Sequence, residues 1–143
     1  MRCPGVGIRS VRIYRAILGF RRQFQKDPGH ITVEAGVAEK IPLSKRSTNV
    51  VCAVNAVHHW TDLEGSIEEI ARVIAPTGRV LLVDEDFTDP KHPQHETHHD
   101  HEEEMTKVDV EIIKGLFESW GLEAKGEKVL LLGLPVKLIK ANF

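Results

Sequence analysis

The chain has 143 residues, of which 41% are hydrophobic and 28% charged, with a formal net charge of −2. This is the composition of one soluble globular domain, long enough to bury a continuous core, and it excludes disordered and fibrous classes. No apolar run reaches the roughly 20 residues of a membrane helix, and the charge balance gives no bulk attraction to nucleic acid. The two cysteines, Cys3 and Cys52, point to a reducing, cytoplasmic setting without a disulfide framework.

Charge is unevenly placed. Residues 1–30 carry seven basic side chains against one acid, Asp27. Residues 84–104 carry nine acids against one base, Lys91, together with five of the eight histidines. The basic beginning is read as a structural helix; an Arg-rich transit peptide is the alternative.

In chain order, Ser10 caps a helix running to about Gln25, with Tyr14, Ile17, Leu18 and Phe24 at helical spacing. Asp27-Pro28-Gly29 stops it, and residues 31–35 form a short strand. Residues 50–54, an unbroken apolar run, are expected to be a strand buried on both faces, with Cys52 as a small core side chain. Asp62 is the N-cap of the next helix, whose buried stripe is Ile67, Ile70, Ala71 and Ile74 and which ends at Pro76-Thr77-Gly78. Residues 80–83 form a second apolar strand. Val110, Ile113, Phe117 and Trp120 mark a further amphipathic helix closed by Gly121. Residues 129–132 and 136–139 are two last strands whose short connection, Gly133-Leu134-Pro135, suits an antiparallel hairpin. Strands alternating with helices predict an α/β sandwich with a mostly parallel sheet closed by that hairpin, in one domain spanning residues 1–143. Within it, residues 1–30 are a basic segment and residues 86–106 an acidic, His-rich loop.

Three segments carry a family resemblance: ITVEAGVAEKIPL at 31–43, TNVVCAVNAVHHW at 48–60 and EEIARVIAPTGRVLLV at 68–83. With Trp120-Gly121-Leu122 and the closing hairpin, they resemble the class I S-adenosylmethionine-dependent methyltransferases, in particular the small-molecule, ubiquinone/menaquinone methylase-like branch. The resemblance covers roughly residues 31–141. It implies a Rossmann-like sheet of order 3-2-1-4-5-7-6, S-adenosylmethionine as cofactor and a small-molecule methyl acceptor. By the same likeness Ala38 and Glu39 lie near the adenine, and Asn55, Ala56 and Val57 lie along the methionine end. All follow predicted strands, where ligands of open α/β sheets bind. Ile41 and Leu43 are expected to offer apolar cover to the purine.

The departures from the family pattern lie toward the beginning. Gly5-Val6-Gly7 is not followed by a third glycine, Arg9 stands where a ribose-binding acid is usual, and Val37 and Asn49 stand where acids are common. The likeness is therefore to a methyltransferase fold incomplete at the N-terminus, without its glycine-rich cofactor loop. Such a chain leaves an apolar edge on the 50–54 strand, to be covered by the 31–35 strand or by a second copy in a homodimer.

His58 and His59 are the candidates for a base near the acceptor, against the plainer reading of loop histidines bonded to backbone. Glu34 and Glu39 read as solvent-facing or loop-stabilising rather than catalytic. His92, His95, His98, His99 and His101 could bind zinc or nickel, against a solvated loop over the substrate mouth. Three functions are thus set side by side: methyl transfer from S-adenosylmethionine to a small molecule, a non-catalytic binding module on the same truncated fold, and a metal-binding protein.

Overall fold

The computed structural model describes residues 35–97 and 108–143. In them β1 (Thr48–Val54), α1 (Leu63–Val73), β2 (Ile74–Glu85), α2 (Val110–Ser119), β3 (Glu123–Leu131) and β4 (Leu134–Asn142) follow one another. The four strands form one sheet in the order β1-β2-β4-β3. β1 and β2 run parallel, and β4 lies antiparallel to both β2 and β3. The parallel pair and the closing hairpin are thus as expected, and the sheet of the described residues is mixed. The expected helix at 10–25 lies outside them, as does nearly all of the 31–35 strand.

Side-chain alternation places Val51 and Ala53 of β1, Val80 and Leu82 of β2, Ile139 and Ala141 of β4 and Ala124 of β3 on one face. That face meets Ile67, Ile70 and Val73 of α1 and Ile113 and Phe117 of α2 in a single core. Asp62 caps α1 as expected, its Oδ1 accepting the Gly65 N–H at 2.9 Å. Asp109 does the same for α2 through the N–H groups of Glu111 and Ile112. Gly121, at φ 82°, closes α2 in the left-handed conformation expected of a helix-ending glycine.

Three expectations are corrected. β1 is not buried on both faces: Val50 and Val54 are more than half exposed, and Cys52 between them is exposed too. Both helices of the described residues lie on the other face, so the apolar run records only the sequence's capacity for burial. Pro76-Thr77-Gly78 does not separate helix from strand, because α1 ends at Val73 and β2 begins at Ile74. The three residues lie instead in a bulge of the ladder, where β1 advances from Thr48 to Val50 while β2 advances from Ile74 to Arg79. Proline, with no N–H to give a neighbouring strand, suits that bulge. The hairpin turns at Leu132-Gly133 rather than at Gly133-Leu134-Pro135, and Pro135 pairs with Leu130 inside the ladder.

Along its other edge β1 has no strand partner among the described residues.

Candidate functional site

The carboxyl ends of β1 and β2 lie side by side, with Val54 opposite Val83. Leaving β1, Asn55 takes a left-handed backbone at φ 48°, a conformation that asparagine tolerates better than most residues. A reciprocal pair holds it there: Asn55 Nδ2 donates to Glu85 Oε1 at 2.6 Å, and the Glu85 N–H donates to Asn55 Oδ1 at 3.2 Å. The chain then folds over the end of β2 as a 3-10 turn, Val57–His59.

Ala56, at the N-cap of that turn, has no side chain to cap it. Asp84 does so from β2. Its Oδ2 accepts the Val57 N–H at 2.9 Å and the His58 N–H at 3.3 Å, and its Oδ1 lies 2.6 Å from His58 Nδ1. Asp84 is 1% exposed, while 17% of the His58 side chain is exposed. A carboxylate only accepts, so Nδ1 carries the proton and, in the neutral ring, the lone pair is on Nε2. His59 stacks on His58 at a tilt, ring centroids 3.9 Å apart.

A second imidazole–carboxylate pair stands beside the first. His92 is buried, and its Nε2 lies 2.9 Å from Glu85 Oε2 while its Nδ1 accepts the Gln94 N–H at 3.1 Å. Phe87 lies between the two histidines, edge-on to His58 and 4.6 Å from His92 by ring centroid. His95 Nδ1 bonds the Phe87 carbonyl oxygen at 2.8 Å. The loop after β2 is therefore tied down through its own histidines. Among the described residues no group of three or more metal-ligating side chains comes together; His98, His99 and His101 lie outside those residues.

On the neighbouring loop, Ala38 is buried in a tight turn closed by the Lys40 N–H on the Val37 carbonyl at 3.1 Å. Glu39 stabilises the loop, as expected: its Oε1 accepts from Thr61 Oγ1 at 2.8 Å and from the Asp62 N–H at 3.3 Å. Burial opposes charge on Glu39, but hydrogen bonds from its own backbone, Thr61 and Asp62 outweigh it and hold its carboxyl below the ordinary range. Ile41 is buried in the core, with Leu43 packed against it. Arg72 clamps the segment to α1: its guanidinium donates to the carbonyls of Ile41 and Leu43, both at 2.9 Å. It also grips both oxygens of Glu69, and Glu69 takes the Ile41 N–H at 2.8 Å.

Asp84 and the Asn55–Glu85 pair escape a reading of the sequence by spacing. Their signal is the pair of acids closing the apolar run VLLV, where a buried carboxylate at a strand's carboxyl end must find donors.

Residues 8–82 match the family model described as a methyltransferase domain. The chain belongs to this methyltransferase domain family. It is 31% identical over 64 residues to the uncharacterized protein YafE of Escherichia coli, an alignment covering 45% of this chain and 30% of that protein. It is 33% identical over 60 residues to the uncharacterized methyltransferase YcgJ of Bacillus subtilis, covering 42% of this chain and 24% of that one. The matched segments thus span less than a third of the length of these curated relatives. In structure, the Bacillus YcgJ protein superposes with a TM-score of 0.66 at 17% identity, over 95% of this chain and 80% of that chain. A SAM-dependent methyltransferase from Aquifex aeolicus does so with 0.68 at 13% identity, over 96% and 69%. The fold is the Rossmann-like methyltransferase fold, and the described strand order is the 4-5-7-6 portion of the sheet that the resemblance implies.

Proposed function

We propose that the domain serves S-adenosylmethionine-dependent methylation of a small molecule whose accepting atom bears a proton, with His58 as the base and Asp84 as the residue that orients it. The observation that carries this is the His58 Nδ1–Asp84 Oδ1 contact of 2.6 Å at the carboxyl edge of the sheet, directly after the Asn55–Val57 segment. The cofactor, when bound, supplies a methyl group on a sulfonium sulfur, which needs no activation beyond alignment with the acceptor.

The described residues fit one side of such a cofactor. Ala38 offers a small side chain at a tight turn, the left-handed Asn55 turns the chain across the strand ends, and the buried Trp60 indole N–H has no partner among the described residues. Ala38 and Glu39 would hold the adenine end and Asn55, Ala56 and Val57 the methionine end. Glu39 would serve through its backbone, since its carboxylate is engaged at the entry of α1. His58 Nε2 would take the acceptor's proton as its nucleophilic atom forms the new bond, and Asp84 would stabilise the imidazolium that results.

Calorimetric titration of the chelator-treated chain with S-adenosylhomocysteine tests the reading. Saturable binding near one per chain supports it and opens an acceptor screen comparing wild type with His58→Gln. No binding by a demonstrably folded chain overturns it in favour of a non-catalytic module on the same fold.

A further inference from the structure

The β3–β4 hairpin ends in an eight-residue run, 129–136, without one polar side chain: Val-Leu-Leu-Leu-Gly-Leu-Pro-Val. Its root is built into the fold, with Pro135 and Val136 buried. Its tip is not: Leu130, Leu131 and Leu134 are exposed, and Leu132 is 97% exposed. Leu131 pairs with Leu134, so Leu132 and Gly133 form a two-residue turn, with φ 52° and 83°. Such turns favour Asn-Gly, because a residue with a Cβ resists the left-handed conformation and a hydrocarbon side chain offers nothing in return. Leu132 therefore works against its backbone and against its hydration at once, and packs against nothing in the fold.

The shape of this patch decides what it suits. It is a convex knob projecting roughly 7 Å beyond the Val129–Val136 pair, two strand residues at about 3.3 Å each. Four leucine side chains fall well short of the roughly 800 Å² per partner that a standard protein interface buries. Its reach does match the roughly 5–10 Å to which apolar side chains of peripheral proteins enter a bilayer surface. Lys128 and Lys137 face each other across the hairpin where the run begins and ends. Both ammonium groups are turned to Asp86, at 2.9 and 3.5 Å. Asp86 offsets part of this charge, although Lys128 stays exposed, and the acids of the loop after β2 lie close by, Asp86 and Asp89 sharing a concavity with Lys91, Lys128 and Leu130, so that charge at the base of the knob is mixed rather than of one sign. The knob offers hydrocarbon, not net positive charge.

We propose that the β3–β4 tip is a bilayer-contacting wedge that inserts Leu130, Leu131, Leu132 and Leu134 into the surface of an uncharged, zwitterionic lipid membrane. The tip overhangs the sheet edge that carries Asn55 and His58, because Glu85 pairs with Val136 and Val136 with Val129. Contact would therefore set that edge against the lipid. The inference does not rest on methyl transfer, and its test needs neither cofactor nor acceptor.

Flotation of the full chain with phosphatidylcholine vesicles at millimolar lipid is the experiment. The wild type is expected to float with the vesicles, unchanged within about twofold between low and high salt, because the driving force is burial of hydrocarbon rather than counter-charge. Leu132→Gly and Leu132→Asn are expected to weaken binding about tenfold, the loss of one leucine's burial. Both should melt at a higher temperature than wild type, since both relieve the left-handed leucine, so weaker binding cannot then be laid to misfolding. Absence of flotation, or flotation that the two substitutions leave unchanged, overturns the proposal. So does binding only to phosphatidylglycerol vesicles that salt abolishes. A dimer in sedimentation velocity that Leu132→Gly dissociates overturns it in favour of self-association.

Discussion

Asp84 and His58 meet at 2.6 Å across the ends of two parallel strands, and the same carboxylate caps the turn on which His58 sits. Orientation of the ring and stability of the turn are therefore carried by one buried acid. Asp84→Asn keeps the shape but turns an acceptor of three donors into a group with one acceptor oxygen. It should cost about 1–3 kcal/mol of stability, read by urea denaturation. His58→Gln leaves the two backbone bonds in place and should be nearly neutral for stability. With an acceptor in hand, it should lower kcat about 10²-fold or more while leaving KM for the cofactor unchanged. A kcat loss below about threefold would exclude His58 as the base.

The local structure around this pair was largely legible from side-chain chemistry. Asp62 announces α1, Gly121 the end of α2, and the position of His58 just beyond an apolar strand announces the carboxyl edge. Two things were not legible. The exposure of Cys52, Val50 and Val54 depends on which face the helices choose, and an unbroken apolar run suits either face. Asp84 and His58 are 26 residues apart, and only the parallel register of β1 on β2 makes them neighbours. Spacing rules describe one element at a time and are blind to such pairs.

The loop bearing Ala38 is held to α1 by the Glu69–Arg72 pair, and this fixes the sign of its pH dependence. The Arg72 guanidinium bonded to Glu69 is the largest influence on that carboxyl; burial opposes it, the Ile41 N–H adds to it, and the pKa is held below its ordinary 4.5. Asp86 is likewise lowered, burial being outweighed by the Thr88 hydroxyl and the Lys128 and Lys137 ammonium groups. A carboxyl whose folded pKa is depressed binds fewer protons folded than unfolded. Its contribution is thus fully present above the ordinary carboxylate range and is lost as pH falls through the folded value. Thermal unfolding followed from pH 7 downward should show Tm falling below about pH 4.5. Glu69→Gln should lower stability by about 1 kcal/mol at neutral pH and flatten that acid limb. A steeper limb in the variant would contradict the assignment.

At Gly126, β3 passes close beneath the start of α2. A Cβ built there would overlap Val110 Cγ1, at the first residue of α2. Valine has one preferred rotamer in a helix and cannot swing away, so Gly126→Ala should destabilise by about 1–3 kcal/mol through overpacking. Val110→Ala in the same chain should recover much of that loss. A double-mutant cycle by chemical denaturation measures the coupling, and additive effects would show that the two residues do not touch in solution.

The two histidine–carboxylate pairs are mirror cases in protonation, and this is open to direct measurement. At His58 the carboxylate faces Nδ1, so the neutral ring carries its proton there. At His92 the carboxylate faces Nε2 while Nδ1 accepts the Gln94 N–H, so the neutral ring must carry its proton on Nε2. A proton on Nδ1 of His92 would point at the Gln94 N–H and break that bond, whereas protonation of His58 breaks no hydrogen bond to Asp84. Long-range ¹H–¹⁵N correlation spectra, recorded about pH 8 where imidazoles are ordinarily neutral, should show the Nδ1–H tautomer for His58 and the Nε2–H tautomer for His92. Glu85→Gln should move the His92 pattern and leave that of His58 in place, and Asp84→Asn the reverse. One tautomer at both rings would mean that one pair is not formed in solution. Loss of the His58 pattern alone would remove the orientation on which its role as a base depends.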